Sequence, residues 1–187
     1  MAEHVILFTG PMGAGKTTAI QSLSEIEVVA TEAVNSDRIT ADKPTTTVAF
    51  DYGEITLDDD DKVRLYGAPG QRRFDFMWTI LRERAVGMVL LVNNDAADPL
   101  ASLTEFLGEF GDLHARGGIV VGVTRSDLAP VPTLDDYAAC IAAARPEMMI
   151  PVFTLDAREP SQMRTALMSL ILNVESTAAS RDPAFAQ

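Results

Sequence analysis

The residues best suited to chemistry form the stretch GPMGAGKT, which runs from Gly10 to Thr17. The stretch matches G-x-x-x-x-G-K-S/T, the pattern of a phosphate-binding P-loop. Its glycines allow backbone angles that aim N–H groups at phosphate oxygens, and the dipole of a following helix favours an anion there. We predict that Lys16 reaches the β- and γ-phosphates of a nucleoside triphosphate and that the Thr17 hydroxyl binds Mg²⁺. The residues predicted to hold the phosphates are Gly10, Gly13, Ala14, Gly15, Lys16, Thr17 and Thr18.

The elements around this loop alternate between strands and helices. Apolar runs of strand length predict strands, and apolar residues at helical spacing predict helices. The alternation predicts an α/β fold with a three-layer, mostly parallel sheet, helices on both faces and one antiparallel edge strand from an early hairpin. Ligands of such sheets bind beyond the carboxyl ends of the strands. The predicted strands are 4–9, 46–57, 62–66, 85–93, 118–123 and 149–155, and the predicted helices are 16–26, 73–84, 99–114, 134–144 and 161–176. Segment 28–41 reads as a loop that leaves room for a short edge strand.

The chain length and composition fit one domain, which we place at residues 1–177, followed by a flexible tail at 178–187. A net charge of −12 argues against nucleic acid and anionic membranes as partners, because both need clustered Lys and Arg. No apolar run approaches the roughly 20 residues that span a bilayer. Cys140 is the only cysteine, so an intrachain disulfide is impossible. We therefore expect a cytoplasmic protein without an integral membrane segment.

The order of several motifs carries a resemblance to a known family. With the P-loop, PTTTVAFDYG, APGQRRF and VGVTRSDL in succession, the chain resembles a small Ras-like GTPase. The likeness extends from about Val5 to Val174 and is closest to bacterial Mgl-type GTPases and their relatives from roadblock-containing operons. The resemblance implies the small G-protein form of the P-loop NTPase fold, with GTP or GDP as ligand and Mg²⁺ as cofactor. It also implies a molecular switch that hydrolyses GTP.

The segment APGQRRF corresponds to the second switch of that family. By resemblance, the N–H of Gly70 senses the γ-phosphate and Gln71 orients the attacking water. A cation placed at the developing charge accelerates phosphoryl transfer, so Arg72 or Arg73 is a candidate for an internal arginine finger. A solvated helix start is the alternative role for at least one of these arginines. The catalytic residues predicted here are Gln71, Lys16 and Arg72.

In the first switch, the family supplies a threonine that binds Mg²⁺ and contacts the γ-phosphate. Thr45, Thr46 and Thr47 compete for this role. The triplet Phe50-Asp51-Tyr52 lies at the family's spacing from Thr47, with Thr46 second. We predict that Thr47 joins Thr17 as a metal ligand, and that the other two threonines are ordinary β-branched strand residues.

The sequence TRSD stands where the family has its base-recognition motif N-K-x-D. A carboxylate only accepts hydrogen bonds, so Asp127 suits the guanine N1 and N2 donors and rejects adenine, whose N1 is an acceptor. Arg125 can cover one face of the base, while Thr124 replaces the family's asparagine. The family's last element corresponds to Ala157 and Arg158. A helix cap or a turn is the alternative role for Asp127.

Two residues depart from the family pattern. Met12 stands where a second P-loop glycine is usual, and its side chain crowds the γ-phosphate region, which predicts slow hydrolysis. Gly67 replaces the aspartate that holds Mg²⁺ through water, an absence that Mgl-type relatives share. Its loss leaves open whether Thr17 and a switch threonine, with waters, hold the metal alone.

The aromatic stretch FDFMW, residues 74–78, follows the second switch. Trp, Phe and Met in such a place suit a surface for a protein partner, and packing in the core is an equal alternative. By resemblance, the partner at the two switches would be a roadblock-domain protein. Two other functions stay open: a P-loop kinase for a small metabolite, and a nucleotide-dependent binding module without turnover.

Overall fold

The computed structural model describes residues 3–34, 47–56, 62–68, 75–116 and 118–181. In these residues strands and helices alternate as the apolar patterns predict, apart from three successive strands after the first helix. The predicted helix 99–114 is divided at Gly111 into two helices. The strands are β1 (Glu3–Thr9), β2 (Val29–Val34), β3 (Thr47–Thr56), β4 (Lys62–Gly67), β5 (Gly87–Asn93), β6 (Ile119–Thr124) and β7 (Val152–Thr154). The helices are α1 (Lys16–Leu23), α2 (Asp75–Arg84), α3 (Pro99–Phe110), α4 (Asp112–Arg116), α5 (Leu134–Ala144) and α6 (Pro160–Arg181).

The strands form one sheet in the order β2-β3-β4-β1-β5-β6-β7. β1 pairs in parallel with β4 and β5, and the parallel pairing continues through β6 to β7. β3 is antiparallel to β4 on one side and to β2 on the other, so the antiparallel pairing is confined to one edge. The predicted mostly parallel α/β sheet is therefore confirmed. β2 lies in segment 28–41, which we read as a loop with room for a short edge strand, and it is the edge strand of the sheet. Its own residues show no clear period, so its pairing with β3 is what marks it as a strand.

Helices cover both faces of the sheet. In β1, Ile6 and Phe8 pack in the cluster that contains α1 and α6, whereas Leu7 packs in the cluster beneath α3 and α5. Successive strand residues point to opposite faces, so this alternation builds two cores from one strand. β5 is buried along nearly its whole length, as the apolar run predicts for a strand covered on both faces.

The loops after β1, β6 and β7 meet at one edge of the sheet, beyond the carboxyl ends of these parallel strands. This is the edge where ligands of such sheets bind. α6 runs past the predicted end at Ser176 to Arg181. Residues 182–187 lie outside the described residues, and the domain boundary at 177 stays a prediction. None of the helices in the described ranges is long and apolar enough to cross a membrane.

Candidate functional site

The loop between β1 and α1 has a backbone that only glycine adopts readily. Gly10, Gly13 and Gly15 have φ angles of 135°, 82° and 96°. A Cβ on Gly10 would lie 1.9 Å from the carbonyl oxygen of Leu91 in β5, a distance that no side chain tolerates. Close packing against β5 therefore fixes where the loop leaves the sheet.

Gly15 is the N-cap of α1, and no acidic side chain lies in the first turn of that helix. The first N–H groups of a helix have no partner within the helix. At the start of α1 these donors, together with the helix dipole, can receive an anion.

Lys16 folds back over the loop. Its Nζ donates hydrogen bonds of 2.8 Å to the carbonyl oxygens of Gly10 and Pro11. Burial lowers the pKa of Lys16 to about 8, and the nearby Asp51 carboxylate opposes this shift. A phosphate placed at the amine would favour its charged form, as an opposite charge does.

Thr17 contacts a carboxylate that sequence reasoning used only as a landmark. The Thr17 hydroxyl donates a 2.6 Å hydrogen bond to Oδ2 of Asp51 in β3. A hydroxyl and a carboxylate are hard oxygen ligands of the kind that Mg²⁺ prefers, and Mg²⁺ commonly adds nucleotide phosphates and waters to one or two carboxylates. In the described residues no group of three or more His, Cys, Asp and Glu could hold a metal by itself. A metal site here would therefore need the nucleotide.

A cavity of about 590 Å³ extends from this loop between the loops after β6 and β7. That volume is within the usual range for a small-molecule site. The structure brings the three separate sequence motifs together around this cavity. The predicted residues that line it are Gly13, Ala14, Gly15, Thr18, Thr124, Arg125, Asp127, Ala157 and Arg158.

Thr124 and Arg125 tie the end of β6 to the P-loop. The buried Thr124 hydroxyl donates to the carbonyl oxygen of Ala14 at 3.2 Å. Arg125 has a left-handed φ of 60°, and its guanidinium donates to Asp95 at 2.9 Å and to the carbonyl oxygen of Gly13 at 3.0 Å. Both side chains thus position the P-loop, because each donates a hydrogen bond to one of its backbone carbonyls.

Asp127 is exposed in the loop that follows β6. Leu128 and Ala129 donate their N–H groups to the carbonyl of Arg125, which makes this segment a turn. The next helix, α5, begins at Leu134 and is capped by Thr133, so Asp127 does not cap a helix. Asp127 is one of the residues that line the cavity, and capping of α5 does not require its carboxylate.

A buried pair that sequence reasoning missed holds this loop in place. The Asn94 amide donates to the carbonyl oxygens of Ala129 at 2.7 Å and Pro132 at 3.0 Å. The Tyr137 hydroxyl donates to Oδ1 of Asn94 at 2.8 Å, and burial raises the pKa of Tyr137 to about 12, so the phenol keeps its proton. No sequence motif marks this pair, because its members come from the end of β5 and the inside of α5.

The loop after β7 supplies Ala157 and Arg158. The Arg158 guanidinium donates to both carboxylate oxygens of Asp156, with contacts of 2.7 to 3.2 Å. Those hydrogen bonds lower the pKa of Asp156 to about 2. Ala157 is buried, and a Cβ on Gly15 would lie 3.0 Å from its own Cβ, so this loop packs directly on the P-loop.

For four of the other predicted residues, the described part of the chain does not include the groups that would act at this site. Gly70, Gln71 and Arg72 lie outside the described residues. The backbone of Thr47 opens β3, paired with Val34. Residues in a strand rise by about 3.4 Å each, which puts Thr47 about 14 Å from Asp51 along β3. The side chain of Thr47 lies outside the described part of the chain, so its role as a metal ligand stays a prediction.

The sequence of the chain matches one family model. The family is described as conserved hypothetical ATP binding protein, and its match covers residues 26–182. The chain belongs to this family. Because the match begins after the P-loop, the family and the loop are separate lines of support for one conclusion: the chain is a nucleotide-binding P-loop protein. None of the curated proteins matches the chain at a significant level. The family match does not extend to the narrower Mgl-type or roadblock resemblance.

Proposed function

We propose that this member of the family binds GTP and GDP, hydrolyses GTP slowly and acts as a molecular switch. The observation that carries the proposal is the exposed Asp127 carboxylate at a cavity whose other end is the P-loop. In this arrangement one nucleotide spans both, with its phosphates on the loop and its base beside Asp127.

The chemistry of Asp127 favours guanine. An ionised carboxylate accepts hydrogen bonds and donates none. Guanine offers N–H donors at N1 and N2, whereas adenine offers an acceptor at N1, which a carboxylate repels. The family description names ATP, so a comparison of GTP binding with ATP binding is the most direct test of this proposal.

The hydrolysis that we propose uses groups at the other end of the cavity. Lys16 and the N–H groups at the start of α1 bind and orient the phosphates. Thr17 would hold Mg²⁺, which would supply positive charge to the phosphate oxygens. Gln71 orients a water whose oxygen bonds to the γ-phosphorus while the bond between that phosphorus and the bridging oxygen breaks. The bridging oxygen leaves as part of GDP, and the proton lost by the water passes to the released phosphate. Arg72 would offset the developing charge.

We further propose that a protein partner reads the nucleotide state. The switch segments would be 37–50 and 67–78, most of which lie outside the described residues. The partner class that the Ras-like resemblance suggests is a roadblock-domain protein. The support for this step is the sequence alone.

Nucleotide binding by purified protein tests the base assignment. We expect GDP and GTP to bind more tightly than ATP. Changing Asp127→Asn replaces one acceptor with a donor, which should weaken GTP binding by about 1.5–3 kcal/mol, roughly 10- to 150-fold. ATP binding should not weaken, because the repulsion between the carboxylate and adenine N1 is removed. Asp135→Asn, an exposed carboxylate on α5, is the matched control for charge. Unchanged GTP binding by Asp127→Asn would remove the basis of the proposal.

A binding module without turnover is the second candidate, because Met12 is 72% exposed beside the phosphate loop and adds bulk where hydrolysis needs space. Phosphate release separates the two functions. The switch predicts slow release from GTP that Gln71→Leu abolishes while GTP binding persists. Absence of release from wild-type protein supports the binding module, and transfer of phosphate from ATP to a metabolite would support a kinase.

A further inference from the structure

We propose that Asp51 is the carboxylate of the magnesium site, supplied from β3 in place of the acid that position 67 lacks. The inference rests on nucleotide binding at the P-loop and deepens the proposed function. It assigns Asp51 as a residue that positions Thr17 and adds negative charge beside the metal.

The first support is the contact between Asp51 and Thr17. A threonine hydroxyl that binds a cation turns an oxygen lone pair to the ion, so its proton must point to an acceptor elsewhere. The Thr17 hydroxyl donates to Oδ2 of Asp51 at 2.6 Å, which is a short bond of the charge-assisted kind. Asp51 therefore already fixes the direction of the proton. Carboxylates that orient a ligand in this way contribute strongly to metal affinity.

The second support is the register between β3 and β4. Asp51 lies directly opposite Gly67 in this antiparallel pair. Side chains of directly opposed residues stand on the same face with their Cβ atoms about 5 Å apart. A carboxylate on either strand can thus reach the same space, and only one of the two positions carries an acid.

The third support is the space at Gly67 itself. A Cβ on Gly67 would lie 3.0 Å from Oδ2 and 3.1 Å from Cβ of Asp51. The Asp51 side chain therefore fills the room that a side chain at position 67 would take. The glycine and the opposed aspartate form a matched pair: the smallest residue on β4 makes the space for the acid on β3.

A fourth observation is the position of Asp51 along the P-loop. Its carboxylate contacts Thr17, the residue next to Lys16, and so lies at the phosphate end of the site. A cation bound with the phosphates would need negative charge at this place, close to both the P-loop lysine and the P-loop threonine.

The alternative is that Asp51 only anchors β3 to α1 through Thr17. The two roles differ in what Mg²⁺ does. An anchor affects stability, and a metal-site acid affects how strongly Mg²⁺ tightens nucleotide binding. Asp51→Asn separates the two roles, because asparagine keeps the size and an acceptor oxygen for Thr17 but lacks the charge.

The test measures the dissociation rate of fluorescent GDP from the full chain as Mg²⁺ is titrated. We expect Asp51→Asn to raise the Mg²⁺ concentration for half-maximal slowing by about 10- to 100-fold, while GDP release in EDTA is no faster than in wild type. Asp135→Asn, which makes the same change of charge on exposed α5, should behave as wild type. An unchanged Mg²⁺ requirement in Asp51→Asn overturns the inference.

A second variant, in which the carboxylate is moved from β3 to β4, separates loss of the metal site from a general loss of structure. In the double variant Asp51→Gly, Gly67→Asp, the two residues exchange strands, and the clash at position 67 is removed except for the flexible end of Ile20, 3.0 Å away. We expect this variant to recover most of the Mg²⁺ affinity. A folded double variant, checked by thermal unfolding, that stays as weak as Asp51→Asn overturns the exchange.

These outcomes are distinct from those of the proposed function. The Mg²⁺ titration can be run with whichever nucleotide binds. A preference for ATP, or absence of hydrolysis, would therefore overturn the GTP switch and leave the role of Asp51 measurable.

Discussion

The P-loop end of the cavity, or phosphate end, and the end that we propose for the base, or base end, are built in different ways. At the phosphate end, most of the groups that would bind phosphate belong to one short, continuous segment. They are the backbone between Gly10 and Gly15 and the side chain of Lys16. At the base end, Asp127 depends on side chains from the end of β5 and from α5, which hold its loop through Asn94 and Tyr137. The first end is specified locally, and the second is specified by the packed fold.

Because the two ends are built differently, they should tolerate different substitutions. A backbone turn has no side chain to replace, so a single added atom disrupts it. A loop held by several side-chain hydrogen bonds can lose one of them and keep its overall conformation, although its position becomes less well defined.

The largest effect should come from Gly10→Ala. The added Cβ meets the Leu91 carbonyl oxygen at 1.9 Å, and φ at this position is 135°, so both packing and backbone become strained. We expect a loss of about 3 kcal/mol or more in the free energy of unfolding, measured by denaturant titration.

Gly108→Ala is the matched control for that change. Gly108 is an exposed residue of α3, and a Cβ there meets nothing within 4 Å. Alanine in a helix should stabilise the protein by about 0.5–1 kcal/mol. Equal responses at the two glycines would contradict the view that packing fixes the phosphate loop.

Tyr137→Phe should weaken the base end alone. It removes the hydroxyl that donates to buried Asn94 and leaves that acceptor without this donor. We expect a loss of about 1–3 kcal/mol in the free energy of unfolding. The loop that carries Asp127 loses its anchor, so the GTP-over-ATP preference should fall while ATP affinity, measured by calorimetry, stays unchanged. Equal weakening of both nucleotides would mean that the two ends are not separable.

The pH dependence of binding probes the phosphate end alone. Burial lowers the Lys16 pKa from 10.5 to about 8, so the amine of the nucleotide-free protein loses its proton as the pH rises through that value. The charged form binds phosphate, so nucleotide affinity should fall by about tenfold between pH 7 and pH 9.

Lys16→Arg supplies the control, because a guanidinium keeps its charge over this range and should give no such fall. The linked effect on nucleotide-free protein has the opposite sign. Between about pH 8 and 10.5 the unfolded state binds the proton that the folded state has lost, so unfolding becomes harder as pH rises. A flat affinity profile for wild type would show that Lys16 is charged throughout.

The parts of the molecule that sequence predicts well are those decided by neighbours in the chain. The apolar runs of β1 and β5 and the P-loop between β1 and α1 are local patterns, and the fold follows from them. β2 could not be predicted in the same way, because its residues become a strand only by pairing with β3.

The site divides along the same line. The P-loop glycines and TRSD are contiguous motifs, so the sequence identifies them. Asp51 becomes part of the site only through the register that sets it opposite Gly67 and beside Thr17. Asn94 and Tyr137 meet across the packing of α5 on the sheet. Contacts between residues far apart in the chain leave no spacing rule to read.

Arg125 shows a consequence of such contacts for the entropy of binding. Its guanidinium is already fixed at both ends, by Asp95 and by the Gly13 carbonyl, and its backbone is held in a left-handed conformation. Ordering a long side chain at the moment of association costs about 0.5–1.5 kcal/mol. Here the folding of the chain has already imposed that order, so a base that bound against Arg125, as we propose, would not incur that cost.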